Sequence, residues 1–354
     1  MGRVRTLAQV YRHFGEVDAA GTSPLYERVA VALSESEEAL RAIEAAPARK
    51  RHPTVILAAL HDLALAGRAP ALSAAYASAD SVAAAGAAID TLLRMTDSVV
   101  AIAVRRKPWT NETGRGAVLY PAIAEAARRV GANAVGLIDV GCSAGFNLTV
   151  DRVGISYSNG QSLGDPSSPV QLSASIVRDR PVPARTLPEV VVRVGVDLDP
   201  VDVTDAEEAR WLRACVWPDQ AEHLARLEAE LALAASAPPL LMRGDAVEVL
   251  PDAFASVPAD ALPVVTTTWT LSKFSLESRL RFLHRLDEAA TNRPVASVSV
   301  EGVGVAPAIP TFGDRPASGH SIIGLAVFDH STLHAESLGR SWSQGRLLSW
   351  LADS

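Results

Sequence analysis

In the first third of the chain, apolar residues recur at the three- and four-residue spacing of amphipathic helices. One series covers residues 7–14 and a second begins at Leu25. Pro53 can open a further helix that ends near Gly67, because proline suits a first helical turn and glycine a helix exit. The pattern predicts an all-helical region, interrupted only at residues 98–104, where a short apolar run resembles a strand.

Beyond Gly131 short apolar runs alternate with helical segments, which is typical of a mostly parallel sheet. The runs predicted as strands are residues 134–140, 190–196, 240–242, 262–267, 295–300 and 322–328. A segment rich in Gly, Ser and Pro separates the first two and predicts an insertion at about 152–188. We therefore expect a helical N-terminal region over residues 1–105 and an α/β core over residues 106–354.

The most informative motif is the small-residue turn after the first predicted strand, Gly141-Cys142-Ser143-Ala144-Gly145. Glycines there let the backbone approach a ligand at a strand's carboxyl end, where open α/β sheets bind their ligands. A dinucleotide fingerprint, Gly-x-Gly-x-x-Gly, would need glycine in place of Ser143 and Phe146. Since no Gly-Lys-Ser/Thr loop occurs either, the sequence disfavours both NAD and nucleoside triphosphates.

This turn resembles the first motif of the class I S-adenosylmethionine-dependent methyltransferases, acidic-x-Gly-x-Gly-x-Gly. Asp139, Gly141 and Gly145 match it, and Ser143 replaces the middle glycine. The resemblance implies a Rossmann-like, mostly parallel sheet with S-adenosylmethionine as cofactor. It also implies that these four residues, with Asn147, form the cofactor turn.

Later acidic residues extend the resemblance. It implies that Asp197 or Asp199, after the second strand, binds the ribose hydroxyls of the cofactor. It likewise implies that Asp245, followed by Ala246 at the third-strand turn, accepts a hydrogen bond from the adenine amino group. The ribose hydroxyls and the adenine amino group are hydrogen-bond donors, and carboxylates accept charge-assisted hydrogen bonds from such groups. Asp197 lies farther from the first motif than in the family, because of the insertion at 152–188.

Two segments are candidates for the substrate side. The polar loop over residues 109–115 contributes Asn111, Glu112 and Arg115, and Thr268 and Trp269 follow the predicted fourth strand. The alternative interpretation of this loop is a helix entry, in which Thr110 or Asn111 is the cap. No catalytic base is assigned. The favoured function is methylation of a small molecule.

The whole chain is also similar to an uncharacterised bacterial family, domain of unknown function 2332. The similarity lies in the Thr-Asn-Glu-x-Gly-Arg loop at 110–115, in the first motif followed by Asn147 and Asp151-Arg152, and in Val-Trp-Pro-Asp-Gln at 216–220. This resemblance implies no activity.

Two other functions are consistent with the same residues. Gly141 to Gly145 also fits Gly-x-Ser-x-Gly, the nucleophile elbow of α/β-hydrolases, with Ser143 as nucleophile and a downstream acid and histidine. Alternatively, the chain binds the cofactor without turnover. His330 and His334 have the spacing of metal ligands on a helix but lack an accompanying glutamate, so no metal site is expected.

Composition narrows the list of partners. The formal net charge of −7 and the 5% aromatic content argue against nucleic acid and anionic membrane as partners. Two cysteines are too few for a disulfide framework. The first residues lack the apolar core of a secretory signal, so we expect a cytoplasmic protein without a membrane span.

Overall fold

A computed structural model describes residues 5–109, 114–177, 180–330 and 332–352. The described chain forms two compact units, one from residues of 1–111 and 205–228 and the other from residues of 112–204 and 229–354. The first contains helices, and the second contains the sheet. The first unit has one buried apolar core and the second has two.

The described α-helices are α1 (Leu7–His13), α2 (Pro24–Glu35), α3 (Glu37–Glu44), α4 (Pro53–Leu65), α5 (Pro70–Ala77), α6 (Ser81–Arg94), α7 (Thr96–Arg105), α8 (Gly116–Val130), α9 (Ala206–Cys215), α10 (Ala221–Ala235), α11 (Ala246–Ala255) and α12 (Leu276–Ala289). The described strands are β1 (Ala134–Val140), β2 (Gly154–Tyr157), β3 (Ser162–Gly164), β4 (Gln171–Ile176), β5 (Glu189–Asp197), β6 (Leu240–Arg243), β7 (Leu262–Thr268), β8 (Val295–Gly302), β9 (Ser321–Asp329), β10 (Thr332–Trp342) and β11 (Leu347–Trp350).

The helical unit follows the predicted pattern at α4, where Pro53 occupies the first turn and Gly67 adopts a left-handed φ of +72° beyond the end. The strand expected at residues 98–104 is wrong, because this segment belongs to α7. Its buried residues Val99, Ile102 and Ala103 have helical spacing, and Val104 points to solvent. A short apolar run does not distinguish a strand from one buried helix face.

Residues 205–228 are joined to the helical unit by polar contacts. Asp219 accepts hydrogen bonds from the Ser23 hydroxyl (2.6 Å) and the Leu25 amide (3.1 Å), so it caps α2. The Trp217 ring packs against Phe14 and Tyr26. Packing therefore accounts for Trp217, and capping accounts for Asp219.

No single described helix is long and apolar enough to cross a membrane, and α4 and α5 reach that length and hydropathy only as a pair bent by 100°.

The sheet of the second unit is mixed, with strand order β3-β2-β4-β11-β10-β9-β8-β7-β1-β5-β6. Five adjacent strands pair in parallel, in the order β8, β7, β1, β5 and β6. The expectation of a mostly parallel sheet is confirmed only in part, because β9 pairs antiparallel with β8 and β10, and β10 with β11. The sequence pattern missed β10, which carries charged residues such as Glu336 and Arg340, and the four-residue β11.

The predicted insertion forms β2, β3 and β4. The antiparallel pair β2 and β3 lies at one edge of the sheet, and β4 joins β2 to β11 through parallel pairing. Residues 152–188 thus extend the sheet at the end opposite β6. This leaves β1 and β5 as direct neighbours despite the long connection between them.

The central strands bury apolar side chains on both faces. Leu137 and Val264 pack in a core with α8, whereas Ile138 and Val265 pack in a core with α11 and α12. Alternation along each strand produces these two cores. The carboxyl ends of β1, β5, β7 and β8 therefore lie at one edge of a sheet covered on both sides.

Candidate functional site

The turn after β1 has an unusual backbone. Gly141 (φ +78°), Ser143 (φ +51°) and Gly145 (φ +74°) are all left-handed, a conformation that costs a non-glycine residue about 1–2 kcal/mol. A Cβ atom on Gly141 would lie 2.3 Å from Thr270 Oγ1, so no side chain fits there. The glycine thus brings the turn against the loop that follows β7.

The turn is fixed to the tip of β5 by Asp197. The Asp197 carboxylate accepts the Ser143 amide at 3.0 Å and the Asp199 amide at 2.9 Å. Ser143 and Asp197 are far apart in the sequence but adjacent in the fold, because the inserted strands lie elsewhere in the sheet.

A group of polar residues, here called the polar centre, lies beside this turn and consists of Arg115, Asp139, Asn147, Thr266 and Thr268. Asp139 on β1 accepts from the Thr266 hydroxyl (2.6 Å) and the Asn147 amide (3.1 Å). Thr268 Oγ1 accepts from Arg115 Nη1 (2.9 Å) and Asn147 Nδ2 (3.3 Å). Hydrogen bonds thus link five side chains, which come from β1, from β7, from the residue before α8 and from the 3-10 helix Phe146–Arg152.

Asp139 is buried, and burial makes its carboxyl group a weaker acid. The residue is 1% exposed, and this burial raises the pKa of its carboxyl group to about 6. The hydrogen bonds from Thr266 and Asn147 and the charge of Arg115 act in the opposite direction. Asp139 can therefore exchange a proton near neutral pH.

Trp269 extends the polar centre. Its backbone is left-handed (φ +53°), and its amide donates to the Val300 carbonyl at 3.0 Å. The indole nitrogen donates to Ser321 Oγ at 2.8 Å, and the Arg115 guanidinium lies 5.1 Å from the ring centroid, within cation–π range. Arg115, Thr268 and Trp269, three of the predicted substrate-side residues, are therefore in contact with one another.

The remaining predicted acids lie at the neighbouring strand tips. Asp199 is exposed and pairs with Arg243 at 2.7 Å. Asp245 is also exposed; it caps α11 by accepting the Val247 amide at 2.9 Å, and Ala246 after it is buried. Asn111 and Glu112 lie outside the described residues.

Sequence reasoning missed Glu301, near the end of β8. This side chain is 1% exposed, and its Oε1 accepts the amides of Thr270 (2.9 Å) and Leu271 (3.0 Å). Burial raises the pKa of Glu301, although these amides and the nearby Thr267 hydroxyl lower it. The only signal in the sequence was one carboxylate in an otherwise uncharged strand.

Residues of the alternative hydrolase site are only partly assembled. His320 Nε2 lies 2.9 Å from Asp314, an acid–histidine pair, but Asp314 also binds Arg340. Among the described residues, no hydrogen bond links the Ser143 hydroxyl to a histidine. Burial raises the pKa of the Cys142 thiol, which disfavours a thiolate nucleophile.

The part of the chain that the structure describes contains no group of three or more His, Cys, Asp or Glu residues able to hold a metal ion. His334 lies on β10 and His330 in the turn before it, so the two do not share a helix face.

Comparison with known proteins found one match. The family described as "Uncharacterized protein conserved in bacteria (DUF2332)" matches residues 8–350. Searches of curated proteins and of solved structures found no match.

Proposed function

The chain belongs to this bacterial family, and we propose that it is an S-adenosylmethionine-dependent methyltransferase with a Rossmann-like fold that acts on a small molecule.

The order of the parallel strands supports this proposal. Numbered by their succession in the chain, β6, β5, β1, β7 and β8 have the order 3-2-1-4-5 of doubly wound folds. The direction in which strands are added reverses between β1 and β7. Open α/β sheets bind ligands at the carboxyl ends of the strands at such a point, and there the glycine turn and the polar centre meet.

The observation that carries the proposal is the hydrogen bond from the Ser143 amide to the Asp197 carboxylate. It places a close-approach backbone turn and a carboxylate from the adjacent strand side by side. A ribose diol beside the turn would find an acceptor in Asp197, whose two oxygens have lone pairs beyond those used by the backbone amides.

The charges at this edge suit the cofactor better than a nucleotide phosphate. Asp197, Asp199 and Asp245 lie at the tips of β5 and β6, where phosphates would be repelled, and Arg243 is paired with Asp199. The hydroxyls and amino group of S-adenosylmethionine are donors that carboxylates accept.

The residues of this chain would chiefly bind the cofactor and orient the substrate. S-adenosylmethionine supplies a methyl group on a positively charged sulfur. Asp197 and the turn at 141–145 would hold the nucleoside, and Asp245 the adenine. Arg115 and Trp269 would bound the substrate side and exclude water, which favours in-line transfer. Asp139 would keep Asn147 and Thr266 in place and could take up a proton.

The proposal is tested by titrating the full-length protein with S-adenosylhomocysteine in a calorimeter. We expect saturable binding with one site per chain. Absence of binding at millimolar ligand would contradict the proposal. Binding without methylation of any compound in a small-molecule panel would favour the catalytically silent alternative.

The hydrolase is a second candidate, because the left-handed Ser143 lies in a Gly-x-Ser-x-Gly turn and Asp314 pairs with His320. Removing a nucleophilic serine costs about a millionfold in turnover. Ester hydrolysis that is abolished by Ser143→Ala, in a protein that does not bind S-adenosylhomocysteine, would favour this candidate. Under the methyltransferase proposal, Ser143→Ala changes ligand affinity by less than about tenfold.

A further inference from the structure

We propose that Glu301 is a positioning residue for the segment 268–271, which carries Trp269 and contacts the glycine turn. The effect of Glu301 on ligand binding rests on the function proposed above, whereas its effect on the segment does not.

Glu301 binds the backbone of the segment 268–271. One carboxylate oxygen accepts two successive amides, those of Thr270 and Leu271. These amides begin the short 3-10 helix Leu271–Lys273 and have no partner within its turn. A buried acceptor for two such amides fixes the path of the chain after β7.

The segment 268–271 contacts both the polar centre and the glycine turn, so its position determines the geometry of the site. Thr268 binds Arg115 and Asn147 through its hydroxyl, and Thr270 Oγ1 occupies the space where a Gly141 side chain would lie. Between them, Trp269 is held in a left-handed conformation that costs about 1–2 kcal/mol. Such strain persists only where neighbouring contacts impose it, and Glu301 supplies two of these contacts.

The second carboxylate oxygen of Glu301, Oε2, lies in a polar part of the core. Glu301 Oε2 is enclosed, and it lacks a hydrogen-bond partner of good geometry among the described residues, as do Thr267 Oγ1 and Ser299 Oγ. Thr267 and Ser299 are partners in the register of β7 and β8, on the face that Glu301 also occupies. Burying a carboxylate is costly unless hydrogen bonds compensate for the lost water, so a less costly apolar residue would serve if Glu301 only filled space.

Two variants of Glu301 separate its role as a hydrogen-bond acceptor from the effect of its negative charge. In Glu301→Gln, the amide oxygen can still accept both backbone amides while its nitrogen faces the Thr267 hydroxyl. In Glu301→Ala, both amides lose their acceptor. Ser299→Ala is the matched control, because it changes a buried polar neighbour on the same strand face that makes no hydrogen bond to the segment 268–271.

The experiment combines amide hydrogen exchange of peptides covering 268–272 with calorimetric titration of S-adenosylhomocysteine. For Glu301→Ala we expect at least about tenfold faster exchange and at least about tenfold weaker binding, the size of one lost hydrogen bond to a charged group. Glu301→Gln and Ser299→Ala should stay within about threefold of the wild type in both measurements.

If Glu301→Ala does not fold, Glu301→Asp replaces it, because the shorter side chain keeps the charge but cannot reach both amides. Exchange should then rise in Glu301→Asp and not in Glu301→Gln. Wild-type exchange in a folded Glu301→Ala, or equal damage in the Gln and Ala variants, would overturn the positioning role. If the wild type binds no S-adenosylhomocysteine, the proposed function fails and the exchange data alone decide the role of Glu301.

Discussion

At the scale of single residues, Asp197 and Asp199 show how structure separates two equal candidates. Asp197 is the last residue of β5 and Asp199 follows that strand, and both were expected near the ribose. In the fold, the Asp197 carboxylate is bound to the glycine turn, whereas Asp199 is exposed and paired with the exposed Arg243. Exposed ion pairs contribute little to stability, and of the two carboxylates only Asp197 binds the glycine turn, so we propose that Asp197 contacts the ligand.

We therefore predict that Asp197→Ala weakens S-adenosylhomocysteine binding by about ten- to hundredfold, which corresponds to about 1.5–3 kcal/mol for hydrogen bonds to a charged group. Asp199→Ala is the matched control and should weaken binding by less than about threefold. Calorimetric titration of both variants measures this difference. Equal losses in the two variants would refute the assignment.

Asp139 allows a prediction about pH. Its folded-state pKa of about 6 lies above the ordinary value of 3.8, so the native state holds this proton more tightly than the unfolded state. Its contribution to stability is therefore complete below pH 3.8 and is lost as pH rises to about 6. Two pKa units correspond to about 3 kcal/mol.

Asp139→Asn removes this titration and keeps a side chain of the same shape. Urea unfolding of both proteins between pH 4 and pH 7 should show the wild type losing up to about 3 kcal/mol relative to the variant. The comparison with the variant cancels other buried acids, including Glu301, whose raised pKa has the same sign. A difference that does not change with pH would show that Asp139 ionises as freely as in water.

At the scale of elements, the short apolar runs of the sequence predicted the strands β1 and β5 to β9. The predicted bounds of β1 and β7 agree with the structure within one residue, although these runs also contain Asp139 and Pro263. The pattern failed where tertiary context decides, at α7 and β10. The role of Asp197 depended on where the inserted strands pair, and the role of Glu301 on amides from another segment, so neither could be read from local sequence.

The glycine turn gives an element-scale prediction. Gly141→Ala combines a left-handed φ with a Cβ atom 2.3 Å from Thr270 Oγ1. Gly160→Ala is the control, since Gly160 also has a left-handed φ (+84°) but nothing lies within 4 Å of its Cβ position.

Gly160→Ala should lower the free energy of unfolding by about 1 kcal/mol, and Gly141→Ala by at least about 2–3 kcal/mol, because steric overlap adds to the backbone cost. Chemical denaturation of the two variants measures the difference. Equal losses would mean that the segment after β7 gives way to the new side chain.

At the scale of the whole molecule, the helical unit is built from two stretches of sequence. Trp211 and Ala214 of α9 are buried in the core formed by the N-terminal helices, and His61 bonds the Ala214 carbonyl at 3.1 Å. The chain therefore leaves the α/β unit after β5 and returns to it within α10.

Deleting residues 1–105 would leave the apolar side chains of α9 without their partners. We predict aggregated protein, as judged by size-exclusion chromatography, because an exposed apolar patch of this kind promotes association. A monomeric fragment that begins at Trp109 and binds S-adenosylhomocysteine would show that the helices are dispensable.

If S-adenosylmethionine binds at the carboxyl ends of β1 and β5, as we propose, the bound ligand can be located there. Amide hydrogen exchange with and without saturating S-adenosylhomocysteine would locate it on the full chain. We predict slower exchange in the segments 141–148, 197–201 and 244–248, and no change in the inserted strands β2 to β4. No protection of 141–148 and 197–201 at millimolar ligand would contradict the account.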